Sequence, residues 1–397
     1  MLMSRSRRPG PRPTDAPSAP TSGPAARVRA LLPAVFAPLA VVLALAACEA
    51  PAPHPLEETR AWPGAEWEAW EQPEDGGFTA EGITRMEAAL EELDTSSMKV
   101  VTAGRVAFEY GDVTEVSYLA SVRKSILAIL YGIHEDRGNL DLDRTLEELD
   151  MDDVRGLTEA ERQATNRHLV ESRSGVYHPA SNPGDNLADA PEPGSQAPGS
   201  YYLYSNWDFN AAGTAFEVQT GLDLFDALEA DLAEPLGFRD FDRERHRKGG
   251  DMERSVHPSY HMHISTRDKA RIGLLMLREG EWDGEEVVSE RAAREMTSVI
   301  TPVTEMNPAA RRDGPHGYGH MWWVWDGDAA QGPFEGAYAG VGAVGQYIVV
   351  LPALDMVVVH KTVPGQGRGV AHGDFWEVLD VVVDAWCGTE CESADAG

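Results

Sequence analysis

The chain has 397 residues, 42% of them hydrophobic, with 34 Lys+Arg against 65 Asp+Glu and a formal net charge of −31. That size and apolar content suffice for one large core or two smaller lobes. The acidic balance argues against nucleic acid or an anionic membrane surface as a partner.

Residues 1–47 read as a secretory signal rather than as fold. Arg27 and Arg29 precede an uncharged run from Ala30 to Ala47 that ends in Leu45-Ala46-Ala47-Cys48. A charged flank, an apolar stretch and small residues before a cleavage point define such a segment. The run, about 18 residues with Pro33 and Pro38 inside it, is short for a membrane span. Leu-Ala-Ala-Cys resembles a bacterial lipobox, which implies diacylation of Cys48, removal of everything before it, and an exported protein held at the cell envelope by lipid. Residues 48–77 are rich in Pro, Glu and Ala and form a tether; Trp62, Trp67 and Trp70 within it point to docking on the body.

Helical spacing of apolar residues starts at Ala80 and runs to Leu93. Two strands follow, Lys99–Thr102 and Arg105–Tyr110, split by Gly104. Next comes Ser121-Val122-Arg123-Lys124, opening a helix whose apolar positions are Val122, Ile126, Ile129, Leu130 and Ile133, with Gly138 as its C-terminal stop. Residues three apart share a helix face, so the Ser121 hydroxyl and the Lys124 amine meet. The Ser121 N–H is also one of the orphan donors of the helix start. A nucleophile, a base and half of an oxyanion hole therefore fit in one turn. Only five basic residues are Lys, namely Lys99, Lys124, Lys248, Lys269 and Lys361. Position 124 keeps an amine where only an amine can turn neutral on burial. The alternative reading is an N-cap serine with a solvated lysine. A second Ser-x-x-Lys, Ser96 to Lys99, runs into a strand and opens no helix.

Residues 141–175 read as mostly helical and acidic. Pro179 to Ser200 is a long loop of Pro, Gly and small polar residues, of the kind that lines a site or is disordered. At its end stands Tyr204-Ser205-Asn206, with a phenol that a Lys ammonium would hold as phenolate and an amide that donates to a substrate carbonyl. Helices are expected at Trp207–Thr220, Leu222–Leu232, Arg267–Arg278 and Ser289–Thr297, the last capped by Ser289. Strands are expected at Tyr318–Trp325, Gly345–Leu351 and Met356–Lys361, then a helix at Asp374–Ala385. Strands from both ends with helices between them predict an α+β protein, an antiparallel sheet flanked by helices with an inserted helical lobe.

Ser121-x-x-Lys124 followed by Tyr204-x-Asn206 resembles the serine β-lactamases and penicillin-binding proteins, in their class C branch of cephalosporinases, D,D-peptidases, carboxylesterases and nylon-oligomer hydrolases. The likeness covers residues 80–386 and includes Leu169-Val170-Glu171-Ser172-Arg173-Ser174-Gly175, Ser265-Thr266-Arg267-Asp268 and Gly280-Glu281-Trp282-Asp283-Gly284. It implies a β-lactamase-like domain at 78–386, no metal and no cofactor, with Ser121 acylated, Lys124 its base and Tyr204 the third catalytic residue. The family's third motif, Lys-Thr-Gly or His-Thr-Gly, is replaced by Gly340-Val341-Gly342, with Gly342 at the substrate edge and the Ala343 N–H completing the oxyanion hole. Lys361-Thr362-Val363 lies one strand too late and reads as a strand end. Loss of the motif's cation turns the expectation from β-lactams and D-Ala-D-Ala peptides toward a small ester or amide substrate. A silent binding protein of the same fold is the alternative from another class.

The remaining candidates have plainer readings. His257, His261 and His263 sit on an aromatic strand-like run without matching carboxylates, so they read as packed histidines rather than metal ligands. Trp322-Trp323 reads as sheet core, and His178 and Asp185 as loop residues. Cys387 and Cys391 are spaced to close a small disulfide in an exported chain, within a C-terminal tail at 387–397.

Overall fold

The computed structural model describes residues 59–365 and 367–388. The signal segment, Cys48, the start of the tether and Cys391 lie outside the described residues. Cys387 is disulfide-bonded.

Helix α1 (Ala80–Glu91) starts at Thr79, whose hydroxyl accepts the Gly82 N–H, and buries Gly82, Met86 and Leu90 at four-residue spacing. Strands β1 (Ser97–Thr102) and β2 (Arg105–Gly111) form a hairpin. Helix α2 (Val122–Asp136) is buried from Val122 to His134, so it runs through the core rather than along the surface. Gly138, at φ 73°, closes it with its N–H on Glu135 O. The expected helical content of 141–175 is a correction: only a short 3-10 turn, Glu161–Gln163, and helix α3 (Asn166–Val170) form there. The acidic side chains take backbone N–H groups for turns instead, Asp141 from Asp143, Glu148 from Thr145 and Asp152 from Leu157. Such local bonds compete with helix.

Helix α4 (Asn206–Thr220) begins at Ser205, whose hydroxyl accepts the Asp208 N–H, and α5 (Leu224–Leu228) passes into a π-turn at Glu229–Ala233. Helices α6 (Thr266–Leu277) and α7 (Glu290–Met296) are capped by Ser265 and Ser289. The strand expected at Tyr318–Trp325 is two, β3 (His316–Tyr318) and β4 (Trp323–Trp325), paired antiparallel. The break has a cause. Met321 takes φ 59°, its N–H bonds Val170 O and its carbonyl accepts the Ser125 hydroxyl, so the turn is tied to α3 and α2. Strands β5 (Tyr338–Gly342), β6 (Gln346–Leu351) and β7 (Met356–Lys361) and helix α8 (His372–Ala385) complete the chain.

The seven strands make one antiparallel sheet in the order β2-β1-β7-β6-β5-β4-β3. The first and last strands of the sheet in chain order meet where β1 pairs β7, Ser97 opposite Lys361. All six residues of β6 and of β7 are buried, as a sheet covered on both faces requires. α1 and α8 cover one face with Met86, Leu90, Phe375 and Leu379. α6 covers the other, where Ala270 meets Val357 and Val359. Residues 112–315 supply the helical lobe, so the predicted α+β architecture holds.

Residues 59–77 lie on this body. The Trp70 indole N–H bonds Thr102 Oγ1 at 3.0 Å, the Trp67 indole N–H bonds Arg267 O, and the Trp62 ring packs on Trp282 at 5.2 Å. Arg60 reaches buried Asp355 at 3.0 Å, opposite a second ion pair from Arg278. Burial works against ionisation of Asp355, yet Arg278 and Arg60 hold its carboxyl below the usual range. Its contribution is therefore present above the unfolded carboxyl pKa and is lost as pH falls through the folded one. Asp355→Ala strands a largely buried Arg278, and a loss of about 3 kcal/mol is expected in urea unfolding at pH 7. A loss under about 1 kcal/mol, the level of an exposed pair, would contradict this.

Candidate active site

Ser121 stands at the mouth of α2, against the end of β5. Its hydroxyl caps nothing; the plain N-cap reading is thereby set aside. Ala120 before it takes φ 48°, a left-handed conformation that non-glycine residues adopt at a cost. Lys124, one turn on and 1% exposed, places Nζ 3.0 Å from Ser121 Oγ, 2.6 Å from Tyr204 OH and 2.7 Å from Asn206 Oδ1.

Tyr204 is brought to this point by a specific clamp. Ser172, at φ 57°, accepts the Ser205 N–H on its hydroxyl and donates that hydroxyl to Leu203 O, while its own carbonyl takes the Leu203 N–H. Ser174 then bonds Asp208 on α4 at 2.7 Å. The stretch from Leu169 to Gly175 thus holds the Tyr204 segment from both sides. The Asn206 amide is oriented by its Nδ2 donating to Pro183 O at 2.9 Å, which leaves Oδ1 facing the amine. One N–H of Asn206 is spent there, so one remains for a substrate.

Burial lowers the Lys124 pKa well below the ordinary ammonium value; the Arg123 guanidinium adds to this and Asp185 opposes it. Burial raises the Tyr204 phenol above its ordinary value. Both shifts run toward the neutral amine and the neutral phenol, the neutral-amine alternative for Lys124 rather than the ammonium–phenolate pair. In a dry site the charged pair pays desolvation on both partners. A neutral amine has two N–H bonds and one lone pair. Asn206 Oδ1 can only accept, so it takes one N–H, and the second N–H and the lone pair are left for the two hydroxyls.

Gly342 at the end of β5 lies against Ser121. A Cβ there would sit 3.1 Å from the Ser121 nitrogen and 2.7 Å from Leu119 O. The strand edge approaches the nucleophile this closely only because residue 342 has no side chain. At Gly340 the Cβ position is 3.0 Å from Ser125 Oγ and 3.6 Å from Trp322, so neighbouring side chains fill the place where a longer residue would start.

Ser121 and Tyr204 line a cavity of about 290 Å³ together with Ala343, Asp185, Arg311 and Trp323. The 179–200 loop thus contributes to the wall through Gly184, Asp185 and Asn186, as its composition suggests. The tryptophan pair divides: Trp322 is fully buried, whereas Trp323 faces the cavity and stacks on Tyr204 at 5.6 Å. Sequence reasoning missed Trp323 as a wall residue, and missed Arg311, His316, His372 and Trp376 altogether. Arg311 sits in a 3-10 turn and His372 opens α8, and neither position carries a motif. Outside the cavity, His178 lies near Asp153 and Glu161, His257 shares a hydrogen bond with Thr214 Oγ1, and His261 and His263 pack on Tyr118. Lys361 is buried at the end of β7 with its amine on Glu115 O.

Several solved structures share this fold at low identity. One described as a 6-aminohexanoate-dimer hydrolase from Bacillus anthracis matches at TM-score 0.59 and 16% identity, covering 83% of this chain and 88% of its own. A class C β-lactamase mutant matches at TM-score 0.58 and 14% identity, covering 80% and 99%. EstCE1, a hydrolase with promiscuous acyltransferase activity, matches at TM-score 0.55 and 18% identity, covering 76% and 98%. No curated protein sequence matches the chain. The β-lactamase family model matches residues 85–363, well over half of the chain, and with this fold around Ser121 and Lys124 the protein belongs to that family of serine hydrolases.

Proposed function

We propose that this protein is an exported, lipid-anchored hydrolase that cleaves an ester or amide through an acyl-enzyme on Ser121. The observation that carries this reading is the convergence of the Ser121 hydroxyl and the Tyr204 phenol within 3.0 Å of the Lys124 amine. As Ser121 Oγ attacks the carbonyl carbon, its proton passes to the Lys124 lone pair. The carbonyl oxygen takes the negative charge and lies between the N–H groups of Ser121 and Ala343. Collapse of this intermediate breaks the bond to the leaving group, which takes a proton through Tyr204 OH. Water then attacks the acyl carbon, gives its proton to the same pair, and frees the acid and the Ser121 hydroxyl.

The structures named above as a 6-aminohexanoate-dimer hydrolase and as EstCE1 share the fold with the class C β-lactamase, so the fold accommodates an ester or amide substrate. Gly340, without a cation and with its side-chain space filled, speaks against β-lactam or D,D-peptide recognition through the third motif. A panel of p-nitrophenyl esters, anilides and nitrocefin, with Ser121→Ala as control, tests the proposal. Ester or anilide turnover that needs Ser121 supports it. Turnover of nitrocefin alone would move the substrate class to β-lactams. Equal cellular function with and without the hydroxyl, and no turnover, would favour the silent binding protein.

Gly342→Ala is expected to lower kcat about 10²-fold or more, because the new methyl group covers the Ser121 N–H and removes one oxyanion donor. Circular dichroism confirms folding in the same preparation, and activity within threefold of wild type would contradict the assignment. The anchor is tested separately: labelled palmitate should enter the wild type and be absent from Cys48→Ser. Equal labelling of both would refute it.

A further inference from the structure

Two basic side chains follow one another in the first turn of α2, Arg123 and Lys124, and each is only 1% exposed. Helix α4 receives both on one face. Asn206 Oδ1 accepts from Lys124 Nζ at 2.7 Å, and Asn210 Oδ1, one turn on, accepts from Arg123 Nη2 at 3.4 Å. Each amide gives its nitrogen to the loop that leads into the cavity wall. Asn206 Nδ2 bonds Pro183 O, and Asn210 Nδ2 bonds Ser181 Oγ and Asn182 Oδ1. Those bonds turn both amide oxygens toward the basic groups. Residues four apart on a helix have Cβ atoms about 5–6 Å apart, so the guanidinium and the amine are held side by side.

Arg123 brings a charge that its contacts do not cancel. The guanidinium lies 4.2 Å over the Tyr260 ring and beside that phenol, whose ionisation burial opposes, and it makes no ion pair among the described residues. A guanidinium keeps its charge on burial, whereas the amine one residue later can lose its own. Like charges this close in a poorly polarisable interior repel strongly, and only one of the two can yield.

The other ionisable groups around the pair are few. Tyr204 meets the amine and Tyr260 the guanidinium, both raised by burial. His261 is lowered to about 4, first by burial and then by Arg123. Asp185 is the acid that opposes Arg123 at Lys124, with its oxygens on the Asn206 and Leu187 backbone N–H groups. Asp208, raised to about 7 by burial, takes the Ser174 hydroxyl on α4.

We propose that Arg123 is a positioning residue for the reaction: its permanent, unpaired charge beside Lys124 disfavours the ammonium form and so keeps ready the amine that takes the Ser121 proton. The catalytic part of this inference rests on the hydrolase reading. Its direct test does not need turnover.

Because Asp208 titrates near neutrality, the test reads Lys124 itself. The chain has five lysines, so lysine labelled with carbon-13 at Cε gives five NMR signals, and the one absent from Lys124→Met reports residue 124. Its titration midpoint is followed in wild type, Arg123→Gln and Arg123→Met. The Gln variant keeps a partner for Asn210, and the Met variant keeps the site filled and dry, so that a rise reports the lost charge rather than admitted water. In both, with folding checked by circular dichroism, the midpoint is expected to rise by about half a pH unit or more. The acid limb of kcat/KM should rise with it, so that activity on that limb, relative to each variant's own plateau, falls about threefold. A midpoint unchanged or lowered in either folded variant would overturn the proposal, even where the plateau rate falls as a packing role would produce. A raised midpoint with an unmoved acid limb would overturn the catalytic role. If the midpoint rises but wild type shows no turnover that depends on Ser121, the hydrolase reading fails and the control of Lys124 by Arg123 stands.

Discussion

Ser121→Ala is expected to lower kcat/KM toward a p-nitrophenyl ester by about 10⁴- to 10⁶-fold, with folding unchanged. Loss of a nucleophile in a covalent serine mechanism removes the whole acyl route and leaves only oxyanion binding and positioning. The structure favours a clean result. The Ser121 hydroxyl caps no helix N–H, so its removal orphans no backbone donor. Its described hydrogen-bond partners are Lys124 Nζ and the Tyr204 hydroxyl, which keep each other, and Lys124 also keeps Asn206. A drop below tenfold, measured on protein free of wild-type carry-over, would mean that another group performs the attack.

Lys124→Met is expected to lower kcat about 10²- to 10⁴-fold, the usual contribution of a positioned base. Stability should move the other way. The folded pKa of Lys124 lies well below the value of the unfolded chain, so between the two values the unfolded state binds a proton that the native state does not. Native stability therefore rises with pH across the window between the two values, and the buried amine is a cost at neutral pH. Lys124→Met removes that cost while filling similar volume, and its urea midpoint at pH 7 should stay at or above wild type. The same depressed pKa sets the wild-type pH profile. Activity needs the neutral amine, so kcat/KM should fall as pH drops through an acid limb lying well below 10.5. An acid limb near 10, or activity of Lys124→Met within tenfold of wild type, would contradict the assignment of base.

What was legible in the sequence followed from local rules. The capping serine at 289 and the apolar spacing of α2 fix helix starts and faces through short-range geometry. Ser121 and Lys124 are neighbours on one helical turn, so their meeting needed no tertiary information. Tyr204 was identified as a residue but not as an electrostatic state. The rise of its pKa depends on how completely the lobe buries it, and burial at a junction of three segments leaves no periodic trace. Residues 141–175 were misread because acidic residues suit both exposed helix and turn-capping, and the choice was made by bonds such as Glu148 to Thr145. The 318–325 strand was misread because its break is enforced from elsewhere, by Val170 and Ser125. Arg311 and Trp323 reach the cavity by chain topology alone, from elements with no catalytic motif.

The central claim is that the Ser121 hydroxyl, activated by Lys124, is the atom that becomes acylated. Mass spectrometry of the protein after treatment with a fluorophosphonate probe measures this directly. One adduct on the peptide containing Ser121 is expected, absent from Ser121→Ala and much slower to form in Lys124→Met. Folded protein that stays unlabelled at Ser121, or is labelled equally fast without Lys124, would contradict the account.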